Sequence, residues 1–244
     1  MKWSAVITTY NSGSVIEQAL TSIFNLPPDE APEDVVVVDN HSCRETVNIL
    51  EAWQNRIRLV RNSRNLGLSA ANAIGAGLTS GDSLFFLNPD VELLPGSVTE
   101  LMEFQESHPR AALLGPSMTD GNGEVQSTAR TWPSPVVVAA RRTVFGRTSA
   151  GKRIAGHHLN SFMVPNEPVK PHWLVGAALW LTPEGRRRVG LMSESYFLYF
   201  EDVEWCWRTW EKGMEVWFVP GSGIRHVCRR ESAVGGITLK YHLR

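Results

Sequence analysis

Long apolar runs are missing from this 244-residue chain. The longest candidates, such as Val136 to Ala140, fall far short of the roughly 20 residues that a membrane-spanning helix needs. The opening residues, MKWSAVITTYN, enter a short strand pattern directly and hold no apolar core of a secretion signal. An excess of one charge is missing as well. Against 24 Lys and Arg stand 25 Asp and Glu, so no global field gathers nucleic acid. Cysteine is scarce: Cys43, Cys206 and Cys228 are odd in number and far apart, which argues against a disulfide framework and fits a reducing cytoplasm. A soluble cytoplasmic protein is expected, or one at most peripheral to the inner face of the cytoplasmic membrane.

Several chemistries are also absent. No Gly-x-x-x-x-Gly-Lys-Ser/Thr occurs, and no Gly-x-Gly-x-x-Gly follows the first strand pattern, so the usual phosphate cradles are missing. There is no Gly-x-Ser-x-Gly elbow. His226 and Cys228 sit close together without a second ligand pair, which excludes a structural zinc. The His157-His158 pair has no partners in sequence and reads as a surface feature.

What is present in the first half is a clean alternation. Strand patterns at Ala5 to Ile7, Val35 to Val38, Ile57 to Val60, Leu84 to Leu87 and Ala111 to Leu114 alternate with helical stretches. Those run from Val15 to Phe24, Thr46 to Trp53, Ser69 to Leu78 and Ser97 to Glu106. Continuous apolar strands between amphipathic helices predict an α/β fold, with a mainly parallel, Rossmann-like sheet flanked by helices. Ligands of such sheets bind outside the carboxyl ends of the strands. The residues there are polar in every case: Thr8-Thr9-Tyr10-Asn11, Asp39-Asn40-His41, Arg61 to Asn65 and Asn88-Pro89-Asp90.

From Gly121 to Pro171 the pattern breaks into loops, with one helix expected near Val136 to Val144. Beyond lie a strand pattern from Trp173 to Leu181, a short helix from Pro183 to Val189 and an ordered stretch from Tyr196 to Phe200. Val203, Cys206, Trp207, Trp210 and Met214 fall on one stripe of a helix, which assigns Trp207 and Trp210 to packing. A last strand, Val216 to Val219, leads through Gly221-Ser222-Gly223 to His226.

The chemistry that remains is acidic. Asp39 follows a buried strand, where it can cap a turn or accept hydrogen bonds from a ribose or base. Asp90 closes Asn-Pro-Asp, which is good turn chemistry, and a hard divalent cation also seeks such a carboxylate beside substrate phosphates. Glu201-Asp202 open the tryptophan-rich helix. Asp202 is placed to be its N-cap, and a carboxylate there can equally serve as a general base. An exposed aspartate titrates near 4 and would be ionised at neutral pH.

Taken in order, Ile7-Thr8-Thr9-Tyr10-Asn11, Val37-Val38-Asp39-Asn40, Arg61-Asn62-x-x-Asn65-Leu66-Gly67, Leu87-Asn88-Pro89-Asp90 and Tyr199-Phe200-Glu201-Asp202-Val203-Glu204 form a resemblance. The chain resembles the inverting family 2 glycosyltransferases of GT-A fold, above all their bacterial rhamnosyltransferase-like branch, from about residue 3 to about residue 232. Gly176-Ala177-Ala178-Leu179 and His226 also match. The resemblance implies a nucleotide-sugar-binding half (1–115) and an acceptor-binding, catalytic-base half (116–244). It places Thr8, Thr9, Tyr10, Asn11, Asp39, Asn65 and Asn88 at the nucleotide. Asp90 becomes the carboxylate ligand of Mn2+ or Mg2+, His226 matches the position that completes the metal site, and Asp202 becomes the base beside Glu201. Two departures stand out: Glu204 replaces the usual Asp, and His226 is followed by Val227-Cys228-Arg229-Arg230-Glu231-Ser232 rather than a Gly-rich segment.

The implied reaction moves a sugar from a nucleotide-diphosphate donor, of dTDP-rhamnose or UDP-hexose type, to a glycan or polyprenyl-diphosphate-linked acceptor in surface-polysaccharide synthesis. The basic stretch Arg141 to Arg153, with Arg186-Arg187-Arg188, is either a solvated loop or a contact to an anionic membrane surface. Two other readings stay open. A sugar nucleotidyltransferase would carry a Gly-rich basic loop after the first strand, which Thr8-Thr9-Tyr10-Asn11 is not. A non-catalytic sugar-nucleotide- or glycan-binding relative is opposed by Asp90 and Asp202.

Overall fold

The computed structural model describes residues 2–132, 148–150, 153 and 165–227. The helix expected over 136–144, the 157–158 histidine pair, nearly all of the basic stretch 141–153 and the segment from 228 onward lie outside these residues.

In chain order the elements are β1 (Trp3–Thr9), α1 (Ser14–Phe24), β2 (Asp34–Asp39), α2 (Arg44–Trp53), β3 (Arg58–Arg61), α3 (Leu68–Ala76), β4 (Ser83–Leu87) and β5 (Val91–Leu93). There follow α4 (Ser97–Ser107), β6 (Ala111–Thr119), β7 (Val125–Gln126), β8 (Ala129–Arg130), β9 (Trp173–Leu174), β10 (Ala178–Leu181), α5 (Pro183–Arg188), α6 (Glu201–Glu211) and β11 (Glu215–His226). Nine strands form one sheet in the order β3-β2-β1-β4-β10-β6-β11-β5, with β7 hanging on β6, while β8 and β9 pair separately. Following the pairings, β1, β2, β3, β4, β6 and β11 share one direction, and β5, β7 and β10 oppose it. The fold is thus α/β with a mainly parallel sheet, and its opposed strands lie toward the far side.

The valines of β2 show why the sheet is covered on both faces. Val35 and Val37 join a core with Ile16, Leu20, Ile23 and Leu50 of α1 and α2. Val36 and Val38 turn the other way, onto Ala71 of α3. Each side chain fully withdrawn from water contributes about 1.5 to 3 kcal/mol, so a strand without polar alternation is stable only between two helical layers. The opposed strand β10 is equally apolar, with all four residues buried. Apolar continuity alone therefore carries no direction.

The sheet cannot be flat. Only residues 88–90 separate β4 from β5, yet β10, β6 and β11 lie between them in strand order. Four inter-strand steps of about 4.8 Å make roughly 19 Å, whereas the four residue steps from Leu87 to Val91 span at most about 14 Å. The curl comes from β11, whose register against β6 shifts between Val219 and Gly223. Pro220 has no N–H to give the ladder, and the irregularity there bends the strand. The last residues of β11 then pair with β5, setting His226 opposite Val91.

Three local expectations change. The strand over 173–181 is split: Trp173–Leu174 pairs with β8, and β10 begins only at Ala178. The buried side of α6 is Glu201, Trp205, Cys206 and Thr209; Trp210 packs against the core as expected, but Trp207 is 52% exposed. Asp202 is not the N-cap, which falls on Phe200 with no side-chain cap bond.

Candidate active site

Because six strands share a direction, their carboxyl ends line one edge, and every expected site residue lies at that edge. β1 ends in Thr8-Thr9 and β2 in Asp39. Asn88-Pro89-Asp90 follows β4, Gly176-Ala177 precedes the opposed β10, and β11 finishes at His226. The crevice opens where the chain leaves β1 toward β2 on one side and returns to β4 on the other, a topological switch point.

On the β1–β3 side the polar side chains hold one another. The Thr8 hydroxyl donates to Asn72 Oδ1 (2.7 Å) and that of Thr9 to Ser12 Oγ (2.7 Å). Asn11 sits at φ 55°, a left-handed conformation that asparagine tolerates better than most residues. Its Oδ1 accepts from Cys43 N–H (2.6 Å), and its own N–H donates to Ser42 Oγ (2.9 Å). Asp39 is buried; Oδ1 accepts from Ser42 N–H (3.0 Å) and Oδ2 lies 3.9 Å from Arg61 Nε. Tyr10 is half exposed at the rim. Asn65 Oδ1 accepts from Gly67 N–H (2.9 Å), shaping the loop that enters α3.

A residue given no role above organises this side. Asn40 is buried, its Nδ2 donates to Gly67 O (3.0 Å), and its Oδ1 accepts from Asn62 Nδ2 (2.9 Å) and Leu66 N–H (3.1 Å). The only sequence signal was its place directly after Asp39. Gly67, at φ 89°, has its Cα pressed on Phe197, where an added Cβ would stand 2.5 Å from the Phe197 carbonyl oxygen. Leu68 N–H donates to that oxygen (2.8 Å), so the Asn62–Gly67 loop carries the segment leading to α6.

At the centre, two consecutive residues join the two halves. Asn88 N–H donates to Ala177 O (2.8 Å), while Gly176 N–H donates to Asp202 Oδ2 (3.0 Å). The end of β4 and the first turn of α6 are therefore held by one dipeptide. Gly176 keeps this approach close, since an added Cβ would lie 3.1 Å from Asp202 Cβ and press that side chain back by a few tenths of an ångström. Asp202 Oδ1 takes Val203 N–H (2.8 Å). Burial raises the Asp202 carboxyl above the ordinary aspartate range, and the Gly176 and Val203 N–H groups pull it partly back. The expectation of an exposed, ordinary Asp202 is corrected on this point. Glu201 is more extreme. It is 5% exposed, its Oε2 has no hydrogen-bond partner, and burial with the neighbouring Asp202 charge raises its pKa to about 7.

Asp90 and His226, 136 positions apart in sequence, are brought together: His226 Nε2 lies 3.3 Å from Asp90 Oδ1. Val227 N–H donates to the Asp90 carbonyl (3.0 Å) and locks the two strands in that register. Behind the ring, His226 Nδ1 lies 3.1 Å from Gln126 Oε1. Gln126 sits in the patternless stretch after Gly121, where sequence carried no signal for it. No group of three or more His, Cys, Asp or Glu side chains suited to an ion occurs among the described residues, so the chain brings two donors here. A carboxylate oxygen and an imidazole nitrogen fit a divalent cation whose other positions go to phosphate oxygens and water.

Of the second basic cluster, Arg186 donates to the Gly81 and Ala76 carbonyls, and Arg187 and Arg188 pair with Glu184. A depression of about 530 Å³ lined by Glu17, Gln18, Thr21, Ser22 and Glu92 contains none of the crevice residues. Among the described residues no helix is long and apolar enough to cross a membrane.

Known proteins agree with this fold. The model of the family "Glycosyl transferase family 2" matches residues 4–162. The N-acetylglucosaminyl-diphospho-decaprenol L-rhamnosyltransferase of Mycobacterium tuberculosis is 29% identical over 233 residues, covering 91% of this chain and 74% of that protein. An inactive polypeptide N-acetylgalactosaminyltransferase-like protein 5 of Macaca fascicularis is 24% identical, over 93% of this chain and 52% of its own. Among solved structures, GalNAc-T7 with UDP, GalNAc and Mn2+ superposes with a TM-score of 0.69 at 20% identity, over 95% of this chain and 44% of that one. Residues 1–349 of S. aureus TarS with UDP-GlcNAc superpose at 0.62 and 17% identity, over 97% and 62%. With well over half of its length matched, the chain belongs to glycosyl transferase family 2, as a rhamnosyltransferase-like glycosyltransferase of GT-A fold.

Proposed function

We propose that this glycosyltransferase is metal-dependent and inverting, with a nucleotide-diphosphate sugar of dTDP-rhamnose or UDP-hexose type as donor. The acceptor is a lipid-linked glycan carrying N-acetylglucosamine, as the name of the mycobacterial relative suggests. The observation that carries the reading is the Gly176-Ala177 bridge. It sets the Asn88–Asp90 turn and the Asp202 carboxylate on the two sides of one crevice.

Each group then has a task. Thr8, Thr9, Asn11, Asp39 and Asn65, with Tyr10 at the rim, hold the nucleotide, and Asp39 takes a ribose hydroxyl or base N–H. Residues 1–115 thus serve the donor, and the rest of the chain serves the acceptor and the base. Asp90 and His226 would hold Mn2+ or Mg2+, which when bound stabilises charge on the departing diphosphate. Asn88 fixes the turn that aims Asp90 through its backbone bond to Ala177. Asp202 accepts the proton of the acceptor hydroxyl as that oxygen attacks C1 of the sugar, opposite the diphosphate. A single displacement needs one base and inverts the anomeric carbon. Because Asp202 is raised in pKa, its basicity lies nearer the working pH than that of a free aspartate. Glu201, buried beside it, adds charge repulsion that opposes loss of both protons at once.

The test is a panel of nucleotide sugars, with and without Mn2+ or Mg2+, scored for release of free nucleoside diphosphate in the presence of lipid-linked acceptors. No donor bound or turned over with metal present sinks the enzyme reading and leaves a non-catalytic binding relative. Metal-dependent turnover surviving in Asp90→Ala sinks the metal assignment.

A further inference from the structure

The side of His226 away from Asp90 is occupied by Gln126, which no motif accounts for. Gln126 Nε2 donates to the His226 carbonyl oxygen (3.3 Å), and Gln126 Oε1 lies 3.1 Å from His226 Nδ1. A carbonyl oxygen only accepts, so the amide nitrogen must be the end facing it. That leaves the amide oxygen, also only an acceptor, facing the ring, and Nδ1 must carry a hydrogen. The ring nitrogen turned toward Asp90 Oδ1 at 3.3 Å is then Nε2. The backbone adds a second constraint, since Gln126 is paired with Met118 on β6, and β6 is paired with β11 on its other edge. The amide, the imidazole and the carboxylate thus follow one another from β7, past β6, to the end of β11 and the turn before β5.

We infer that Gln126 is a positioning residue: it fixes the ring and tautomer of His226 so that Nε2 faces the cation that Asp90 would hold. The inference rests on the metal reading proposed above and adds to it the residue that makes His226 competent. Partners of this kind orient ligating imidazoles, and their loss lowers metal affinity by about tenfold or more.

The experiment uses the full chain with Mn2+ and, in parallel, UDP and dTDP. Mn2+ affinity comes from the electron paramagnetic resonance titration, and electron spin-echo modulation detects a nitrogen bound to the ion. Wild type is expected to bind Mn2+ and show nitrogen modulation. Gln126→Leu, which cannot accept from Nδ1–H, should lose the modulation and about tenfold or more in affinity. Gln126→Glu keeps an accepting oxygen in the same place and should keep both. Gln126 lies on a two-residue, partly exposed strand, so both variants are expected to melt with wild type. Unchanged Mn2+ binding and modulation in Gln126→Leu overturn the inference, as do equal losses in both variants. Absence of Mn2+ or of nitrogen modulation in wild type fails differently: it removes the metal site or the place of His226 in it, and the inference with it.

Discussion

The two sides of the crevice are built on opposite principles. On the β1–β3 side nearly every polar group has a partner inside the protein: Thr8 with Asn72, Asn11 with Cys43, Asp39 with Ser42, and Asn40 with three groups of the following loop. At the mouth of α6 two acidic side chains stand side by side, Asp202 partly buried and Glu201 buried with an unpartnered oxygen. They follow two successive residues in the left-handed region, each costing about 1 to 2 kcal/mol. The first side is a preformed scaffold, which under the proposed function would hold the donor without moving. The second stores unfavourable electrostatics at the proposed base, which is where such cost is expected.

The largest effect should come from attacking the second side. Asp202→Asn removes the proposed base while keeping an oxygen to accept one backbone N–H. Turnover should fall about 1000-fold, or about 4 kcal/mol, with donor binding retained by titration calorimetry. The wild-type pH profile sharpens the point. A base with raised pKa is lost as pH falls through that pKa, so the acid limb of kcat/KM should lie above the ordinary aspartate range. An acid limb near 4, or a variant within tenfold of wild type, would move the base elsewhere.

Next comes the donor side, where the same kind of change should cost stability. Asn40→Ala leaves the Leu66 N–H and the Gly67 carbonyl without partners, at about 3 kcal/mol in denaturant unfolding. If the cost is below about 1 kcal/mol, this side is not the self-supporting scaffold described above.

Glu201→Gln should do the reverse. A carboxyl raised from 4.5 to about 7 binds its proton more tightly in the folded protein than in the unfolded chain. The folded state therefore loses stability as pH rises from about 4.5 to about 7. A shift of that size corresponds to about 3 kcal/mol, which structural relaxation reduces to about 2. The glutamine variant should melt higher than wild type at pH 8 and show little of that gain at pH 4. An equal change at both pH values would mean that Glu201 is not held as described.

The same contrast explains what was legible in the sequence. The placing of the β1–β3 motifs was readable because each strand ends in its own polar residues, and parallel neighbours bring consecutive motifs to one edge. Asp39 and Asn65 could be placed by counting along the chain. Curl and direction were not readable: β10 is as apolar as its parallel neighbours, and nothing local tells that β5 leaves β4 to pair with β11. The Asp90–His226–Gln126 line depends on that curl, so Gln126 was invisible. The desolvation of Glu201-Asp202 was likewise hidden. A helix N-terminus usually offers its acids to water, and only the packing of Gly176 against Asp202 shows otherwise.

The smallest expected effect tests the phase of α6, where periodicity misled. Of the stripe Val203, Cys206, Trp207, Trp210 and Met214, Cys206 and Met214 are buried and Trp210 packs on the core, yet Trp207 points outward and Glu201, Trp205 and Thr209 turn inward. The reason is that Trp205 fits between Phe86 and the Gly190 carbonyl, with rings at 5.5 Å and its Nε1–H donating at 2.9 Å. That seat draws Glu201 inward on the same face and leaves Asp202 partly buried beside it, so a feature of packing decides where the proposed base points. Trp207, 52% exposed, should then matter little to the fold. Trp207→Ala is expected to stay within about 0.5 kcal/mol of wild type in denaturant unfolding. A loss above about 2 kcal/mol would restore the stripe read from the sequence, rotate the helix and turn Asp202 away from the crevice.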